Sequence, residues 1–495
     1  MKTKATLNSE DRNFFALLTK AILSNPFLDE RSEILIQIIP GYTKEIKSGT
    51  IELGFITQGL EKRIANLERK GLYQIQHFKR KDRQLLRDAF LLQAYRRFVK
   101  DFDKLIQNQL SLGQTPADVP FAEKVISQLK SRGFLVQESL HYLALFYQLR
   151  RAFYFIDQAL VGESPSMKKL RLDLWNNVFT SDARTYDSTL WNRMEDFSTI
   201  LLGETGTGKG SAAAAIGRSG FIPFDRKKGI FAHNFTETFI AINLSQYPES
   251  LIESELFGHR KGSFTGAVDD HKGLFERCSK HGSLFLDEIG DITIPVQIKL
   301  LQVLQERIFI PVGSHNHKRF EGRVIAATNR SIDELRSKGN FRDDFFYRLC
   351  SDVITVPSLR QRIEELPSEL EQMVNLLVIR ITGQKSSKLT DMILETLKRD
   401  LPKDYAWPGN VRELEQAVRR ILLTRHYYGD LMVIEPNLED KFVQKIHTGT
   451  LKAKELVSQY CELLYQQFGT YEEVARRTGL DRRTVKKYLI EENLR

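Results

Sequence analysis

The sequence predicts a multidomain chain: a helical N-terminal domain, a central α/β domain with a parallel sheet and a helical lid, and a small all-α C-terminal domain. Three observations carry this. Apolar residues recur at three- and four-residue spacing over the first 160 positions, as in Asp82–Leu105 and Gln137–Leu160. Short β-branched runs then alternate with helical patterns, which argues a parallel sheet covered on both faces. The last segment reads helix, glycine turn, helix.

In chain order, Gly113-Gln-Thr-Pro116-Ala-Asp118 breaks the helical region into two groups. Its aromatic run (Tyr142, Phe146, Tyr147, Phe153, Tyr154, Phe155) is either a ligand or partner face or, the reading favoured here, the core of a helical bundle. A turn at Gly162–Met167 leads into a helix near Met167. Strands are expected at Ser198–Leu202, Thr238–Leu244, Ser283–Leu286, Arg323–Ala327 and Val353–Val356. Ile294–Arg307 reads as a helix with Val296, Leu300, Leu301 and Leu304 on one face. The pattern from Gln361 to Tyr428 is all-helical and suggests the lid.

The chemistry starts where the first strand ends. Gly203-Glu204-Thr205-Gly206-Thr207-Gly208-Lys209 has the spacing of a phosphate-binding loop between strand and helix. Its backbone N–H groups and helix N-terminus suit phosphate oxygens, and Lys209 reaches the β/γ-phosphates. Gly210 stands where a Mg²⁺-binding Ser or Thr is expected. Ser283-Leu-Phe-Leu-Asp287-Glu288 ends a buried-type strand in two carboxylates, which a parallel strand beside the first delivers to the C-terminal edge of the sheet. Asp287 there can hold Mg²⁺ and Glu288 can polarise water, so the pair of motifs predicts a nucleoside-triphosphatase site.

At 495 residues there is room for three or four domains. Lys and Arg number 73 against 63 Asp and Glu, a mild bias toward an acidic partner such as nucleic acid. Isolated Cys278, Cys350 and Cys461 predict a reducing compartment without disulfides, and His315 and His317 read as a solvated loop rather than a metal site. With no signal peptide and no apolar run of membrane-spanning length, the expectation is a cytoplasmic protein without a membrane partner.

Between the nucleotide motifs lies Glu253-Ser-Glu255-Leu-Phe257-Gly258-His259-Arg-Lys-Gly262-Ser263-Phe264-Thr265-Gly266-Ala267. This closely resembles the signature of the AAA+ domain of sigma-54-dependent transcriptional activators, the bacterial enhancer-binding proteins, whose loop reads G-A-F-T-G-A. Two glycines flank an exposed Phe-Thr tip as hinges. The resemblance, over residues 162 to 430, implies ATP as ligand and contact of Phe264 and Thr265 with the sigma factor. It implies that Asn329, ending Val324–Thr328, is the first sensor and that Asn243 is the switch that restrains Glu288. Arg342 and Arg348 resemble two arginine fingers acting on a neighbouring subunit's site, which requires a ring. Arg412, in Trp407-Pro-Gly-Asn-Val-Arg-Glu-Leu, resembles the second sensor. Gly210 departs from the family's usual Glu and puts ATP affinity in question; Ser263 for Ala is expected to be tolerated. Thr185–Met194 and Arg226–Asn234 look like insertions relative to the family.

At the C-terminus, Leu451–Phe468, Tyr471–Arg477, a turn at Thr478-Gly479-Leu480 and Asp481–Glu491 make a helix-turn-helix that also resembles the family's DNA-binding domain. Arg482, Arg483, Thr484, Lys486 and Lys487 lie on or near its recognition helix, with phosphates and guanine edges as targets. The expected division is 1–160, helical regulatory domain; 162–360, AAA+ α/β subdomain; 361–435, lid; 448–495, helix-turn-helix. The expected function is ATP-driven remodelling of sigma-54 RNA polymerase closed complexes by a DNA-bound dimer that assembles toward a hexameric ring. Two alternatives remain: a DNA-binding regulator independent of sigma-54, or an AAA+ remodeller of another protein substrate.

Overall fold

The computed structural model describes residues 4–38, 49–158, 160–429 and 452–492. They form two compact units, Met1–Met392 with Tyr405–Arg419, and Ile393–Asp404 with Arg420–Arg495.

The first unit begins with helices Ser9–Leu23, Asp29–Ile38, Gly49–Arg69, Arg80–Leu112, Ala122–Ser131 and Val136–Phe153. Asn8 starts the first by accepting a hydrogen bond from the Asp11 N–H at 2.7 Å, with Glu10 and Asp11 in the first turn facing the helix dipole. Buried Asp82 accepts from the Leu7 N–H at 3.0 Å and from Arg12 Nε at 2.9 Å, tying the N-terminal segment to the long helix. That helix ends at Gly113, whose φ of 61° suits glycine, where the sequence placed its break. Tyr142, Phe146, Tyr147 and Phe155 are buried, so the aromatic run is core.

Strands follow at Thr199–Leu202 (β1), Phe224–Asp225 (β2), Ile230–Phe231 (β3), Phe239–Asn243 (β4), Ser283–Asp287 (β5), Ile308–Phe309 (β6), Lys318–Arg319 (β7), Arg323–Thr328 (β8) and Asp352–Thr355 (β9). The main sheet has the order β4-β5-β8-β1-β9 and is parallel throughout; β5 is not beside β1 as the sequence reading placed it, because β8, a later strand, inserts between them. The continuous apolar runs of β1, β5 and β8 are explained by burial on both faces. Register pairs Asn243 with Asp287 at the strand ends and Leu202 with Thr328. Helix Ile294–Glu306 buries Val296, Leu300 and Leu304 as expected, while Leu301 is only half-buried. Helices Leu359–Glu365, Ser368–Thr382, Ser387–Asp400 and Asn410–Thr424 make up the predicted lid segment; residues 430–435 of that segment lie outside the described residues. The linker into the α/β part is pinned by a buried ion pair, Arg362 to Glu369 at 2.9 Å, with Glu369 also accepting the Ser164 N–H at 2.7 Å.

The helical region and the α/β part share one apolar core, running from Leu7 through Phe235 to Ile325 and Val356. The two segments that look like insertions build much of the junction. Hairpin β2–β3 stacks Phe231 on Tyr147 with ring centroids 4.0 Å apart, and Arg226 pairs with Glu123 at 2.7 Å. In the other segment Asp187 meets His141 at 2.7 Å and Trp191 lies against the His141 ring at 4.9 Å.

In the second unit, helices Ala453–Phe468, Tyr471–Thr478 and Arg482–Glu492 pack around Cys461, Leu464, Val474, Val485 and Leu489. Gly469 and Gly479, both at φ 71°, end the first two. Leu451, where the sequence starts the first of these helices, lies outside the described residues, as do 448–450 and 493–495. Arg482, Arg483, Lys486 and Lys487 are exposed on the last helix, whereas Thr484 donates its hydroxyl to Asp481 and is engaged in capping. Arg482 forms an ion pair with Glu472 at 3.0 Å.

Candidate nucleotide site

β1 ends at Leu202, and Gly203, Gly206 and Gly208 carry φ of 158°, 80° and 107° before helix Lys209–Gly217 begins. Glycine at 206 and 208 permits the left-handed turns that curl the loop. Lys209, 7% exposed, donates its ammonium to the carbonyls of Gly203 at 2.8 Å and Glu204 at 3.2 Å. Burial lowers its pKa, partly countered by Glu288 and Asp287. A phosphate in the loop would replace neutral carbonyls with anionic oxygens around that buried cation, so the residues fit a nucleoside polyphosphate. Thr207 is buried with its hydroxyl on the Glu204 carbonyl, while Thr205 is exposed and faces the next strand.

Asp287 ends β5. Burial raises its pKa, with the Glu288 N–H, Lys209 and Arg412 acting in the opposite sense. A half-buried carboxylate at the end of a strand, destabilised as an anion by burial, suits a divalent cation. No cluster of three or more His, Cys, Asp or Glu placed for a metal occurs among the described residues, so Asp287 would have to share Mg²⁺ with phosphate oxygens. Glu288 takes the left-handed conformation at φ 55°, uncommon for a residue with a side chain. Its carboxylate meets the backbone N–H of Asn329 at 3.3 Å. The Asn329 amide reaches back to the Thr205 hydroxyl at 2.8 Å, which links the end of β8 to the loop.

Three expectations meet contacts that the sequence did not show. Asn243 sits beside Asp287, and its side-chain oxygen accepts from the N–H of Ser245 at 3.0 Å and the Ser245 hydroxyl at 2.7 Å. The oxygen closes an Asx turn with the serine two residues on. Phe264 is half-buried, packed edge-on to His259 at 4.9 Å, and Thr265 alone forms the exposed tip; Gly262 and Gly266, at φ 78° and 103°, flank it as expected. Ser263 is not on open loop surface: it packs against Gly313, and its hydroxyl has no hydrogen-bond partner among the described residues.

Arg342 stands at the N-cap position and Arg348 in the last turn of the helix Asp343–Leu349. Arg342 is held by Asp344 at 2.6 Å, and Arg348 donates Nε to the Leu304 carbonyl at 2.9 Å. Arg412 is exposed on the lid helix, close enough to act electrostatically on Lys209 and Asp287.

The residue that seats the lid was missed from sequence. Asn410 is fully buried at φ 52°. It accepts the Leu359 N–H at 2.8 Å and donates to the Thr205 carbonyl at 3.0 Å and to Glu204 at 3.1 Å. Glu204, whose pKa is lowered by Asn410 and then by Arg360, forms an ion pair with Arg360. The available signal was Gly409-Asn410 ahead of a helix, since Asn tolerates the left-handed region.

A Cβ at Gly210 would meet nothing within 4 Å, and the position is exposed in the first helical turn. Gly210→Glu should therefore raise stability by roughly 1 kcal/mol through helix propensity and the helix dipole. Thermal denaturation checks this; a lower melting temperature would mean the loop needs glycine there.

A family model described as Sigma-54 interaction domain matches residues 183–355. The chain is 38% identical over 283 residues to the DNA-binding transcriptional regulator NtrC of Azospirillum brasilense, covering 57% of this chain and 51% of that protein. It is 40% identical over 271 residues to the Nif-specific regulatory protein of Azotobacter vinelandii, covering 54% and 45%. An uncharacterized protein in the HyuA 5′ region of Pseudomonas sp. (strain NS671) is 36% identical over 270 residues, 54% of this chain and 79% of that one. The chain spans about half the length of the first two relatives. The central domain thus has the AAA+ ATPase fold, with a sheet whose strand-end residues converge on a phosphate-binding loop. On these matches the chain belongs to the sigma-54-dependent enhancer-binding activators, the family that carries the sigma-54 interaction domain.

Proposed function

We propose that this chain is an ATP-hydrolysing transcription activator that binds double-stranded DNA and remodels sigma-54 RNA polymerase closed complexes. The observation that carries the reading is the continuous path from site to loop. β4 ends beside Asp287, runs through the Asn243–Ser245 turn into helix Glu249–Phe257, and that helix leads directly into the glycine-flanked Phe264-Thr265 tip. Movement at the strand ends therefore has a short mechanical route to an exposed loop.

In this reading Lys209 and the N–H groups from Gly203 to Gly210 bind the phosphates, and Arg412 reaches them from the lid. Mg²⁺, held by Asp287, would neutralise charge on the β- and γ-phosphates. Glu288 orients the attacking water, Asn329 links it to Thr205 of the loop, and Asn243 can act as a switch only after leaving its turn. Arg342 and Arg348 serve a neighbouring subunit in a ring, which requires Arg342 to exchange Asp344 for phosphate. The basic face of the last helix, with Arg482, Arg483, Lys486 and Lys487, contacts DNA as a dimer; Thr484 supports that helix through Asp481.

The test is open-complex formation on a sigma-54 promoter by the purified full chain with ATP. Wild type should open DNA, Glu288→Gln should neither hydrolyse nor open, and Thr265→Ala should hydrolyse ATP at near wild-type rate without opening. Hydrolysis by wild type without opening at any sigma-54 promoter favours an AAA+ remodeller of another substrate. Activation at promoters lacking sigma-54 dependence favours an ordinary DNA-binding regulator.

A further inference from the structure

Helix Lys209–Gly217 begins at the phosphate-binding loop, and its other end is held by the helical region. Three successive carbonyls there accept hydrogen bonds from one helix of that region, Val136–Phe153. Arg151 donates Nη1 to Arg218 O and Nη2 to Gly220 O, both at 2.6 Å, and Gln148 donates to Ser219 O at 2.9 Å between them. Both side chains are essentially inaccessible, at 0% and 1% exposure. Gln148 is itself fixed by Tyr186, one of the residues of the segment that looks like an insertion; it donates to the Tyr186 hydroxyl at 2.6 Å and accepts from it at 3.0 Å.

The Arg218 carbonyl is that of the helix C-cap and the other two belong to the residues just beyond it, so the guanidinium sits at the negative end of the helix and holds the chain that leaves it. What is unusual is the burial. Among the described residues no carboxylate is paired with Arg151; the Tyr147 ring lies at 4.5 Å and the Phe235 ring at 5.8 Å. Both Nη atoms are bonded to these carbonyls, while the buried Nε has no hydrogen-bond partner among the described residues, so pulling the domains apart would strip the cation of the acceptors it has. A helix of nine residues is about 13 Å long and rigid, so fixing one end constrains where the loop at the other end lies.

We infer that Arg151 and Gln148 are positioning residues for the phosphate-binding loop, through which the permanently docked helical region sets nucleotide affinity without leaving the ATPase domain. This rests on the nucleotide-binding reading above. A change in the tilt of helix Val136–Phe153 would reach Lys209 along a single helix.

The experiment is titration of the full chain with a fluorescent ADP analogue, alongside thermal denaturation, for wild type, Arg151→Met, Gln148→Leu, Arg151→Lys and Trp191→Leu. Trp191→Leu thins the same junction without touching the three carbonyls. Expected is an affinity loss of about fivefold or more for Arg151→Met and Gln148→Leu, the scale of a typical intersite coupling. Arg151→Lys should fall between, since one ammonium keeps the charge but not the fork. Trp191→Leu should lower the melting temperature with unchanged affinity. Should Arg151→Met fail to fold, Gln148→Leu and Arg151→Lys carry the test. Wild-type affinity in the clamp variants, or an equal loss in Trp191→Leu, overturns the inference. Failure of wild type to bind ADP sinks the nucleotide reading itself.

Discussion

Alanine at Gly206 is expected to abolish nucleotide binding in a chain that remains folded. Gly206 has a φ of 80°, which disfavours any residue with a Cβ by about 1–2 kcal/mol. The larger effect is steric. An added Cβ would lie 2.2 Å from the Gly409 carbonyl oxygen and 3.1 Å from Arg412 Cβ, and the nearest obstruction is backbone that cannot rotate away. Either the loop straightens or the start of the lid helix lifts, and both break the 3.1 Å bond from the Val411 N–H to the Gly206 carbonyl and the Asn410 bonds to Glu204 and Thr205. Titration with a fluorescent ADP analogue, with circular dichroism to verify folding, reads the outcome. Lys209→Met is the companion: it removes the cation and leaves the lid seated. Loss of binding in both, with the lid bonds affected in one alone, separates geometry from charge. Wild-type affinity in Gly206→Ala would mean that the lid does not close on this loop.

The second large effect is expected from removing residues 1–160. In a chain whose regulatory domain is tethered by a linker, the ATPase fragment is soluble without it. Here the cut would uncover Phe221, Phe231, Phe235, Tyr186 and Trp191, which lie against or hydrogen-bond to side chains of the helical region. Aromatic side chains bury roughly 150–250 Å² each, so the new patch would exceed the few hundred Å² that soluble monomers tolerate. The fragment 162–429 should aggregate, and co-expression with residues 1–160 should restore a soluble complex. Light scattering after size exclusion decides it; a monodisperse, ATP-hydrolysing fragment would show that the junction is dispensable for folding.

Much of the nucleotide site was legible because its parts are local. A glycine-rich loop after a strand, and paired carboxylates after another, declare their chemistry within a few residues, and parallel-sheet topology then brings the strand ends together. Asn243 and Asn329 were assigned from the family resemblance instead, and only the sheet shows that their strands flank the one ending in Asp287, with Asn243 paired to Asp287. Side-chain partners were less legible. The turn that engages Asn243, the ring under Phe264 and the Asp344 carboxylate on Arg342 depend on neighbours whose approach no spacing rule specifies.

What the sequence by itself determined is the order of elements and the chemistry at the strand ends, since period, β-branching, glycine and charge act within one turn or one strand. What only the tertiary structure decided is that the helical region and the ATPase share one core, with both insertion-like segments turned toward the helical region and Arg151 buried against the phosphate-binding helix. The physical reason is the same in each case. An arginine in an amphipathic helix reads as a solvated face, and an extra hairpin reads as a surface loop, until the packing of distant segments removes water from them and leaves carbonyl oxygens and aromatic rings as their partners.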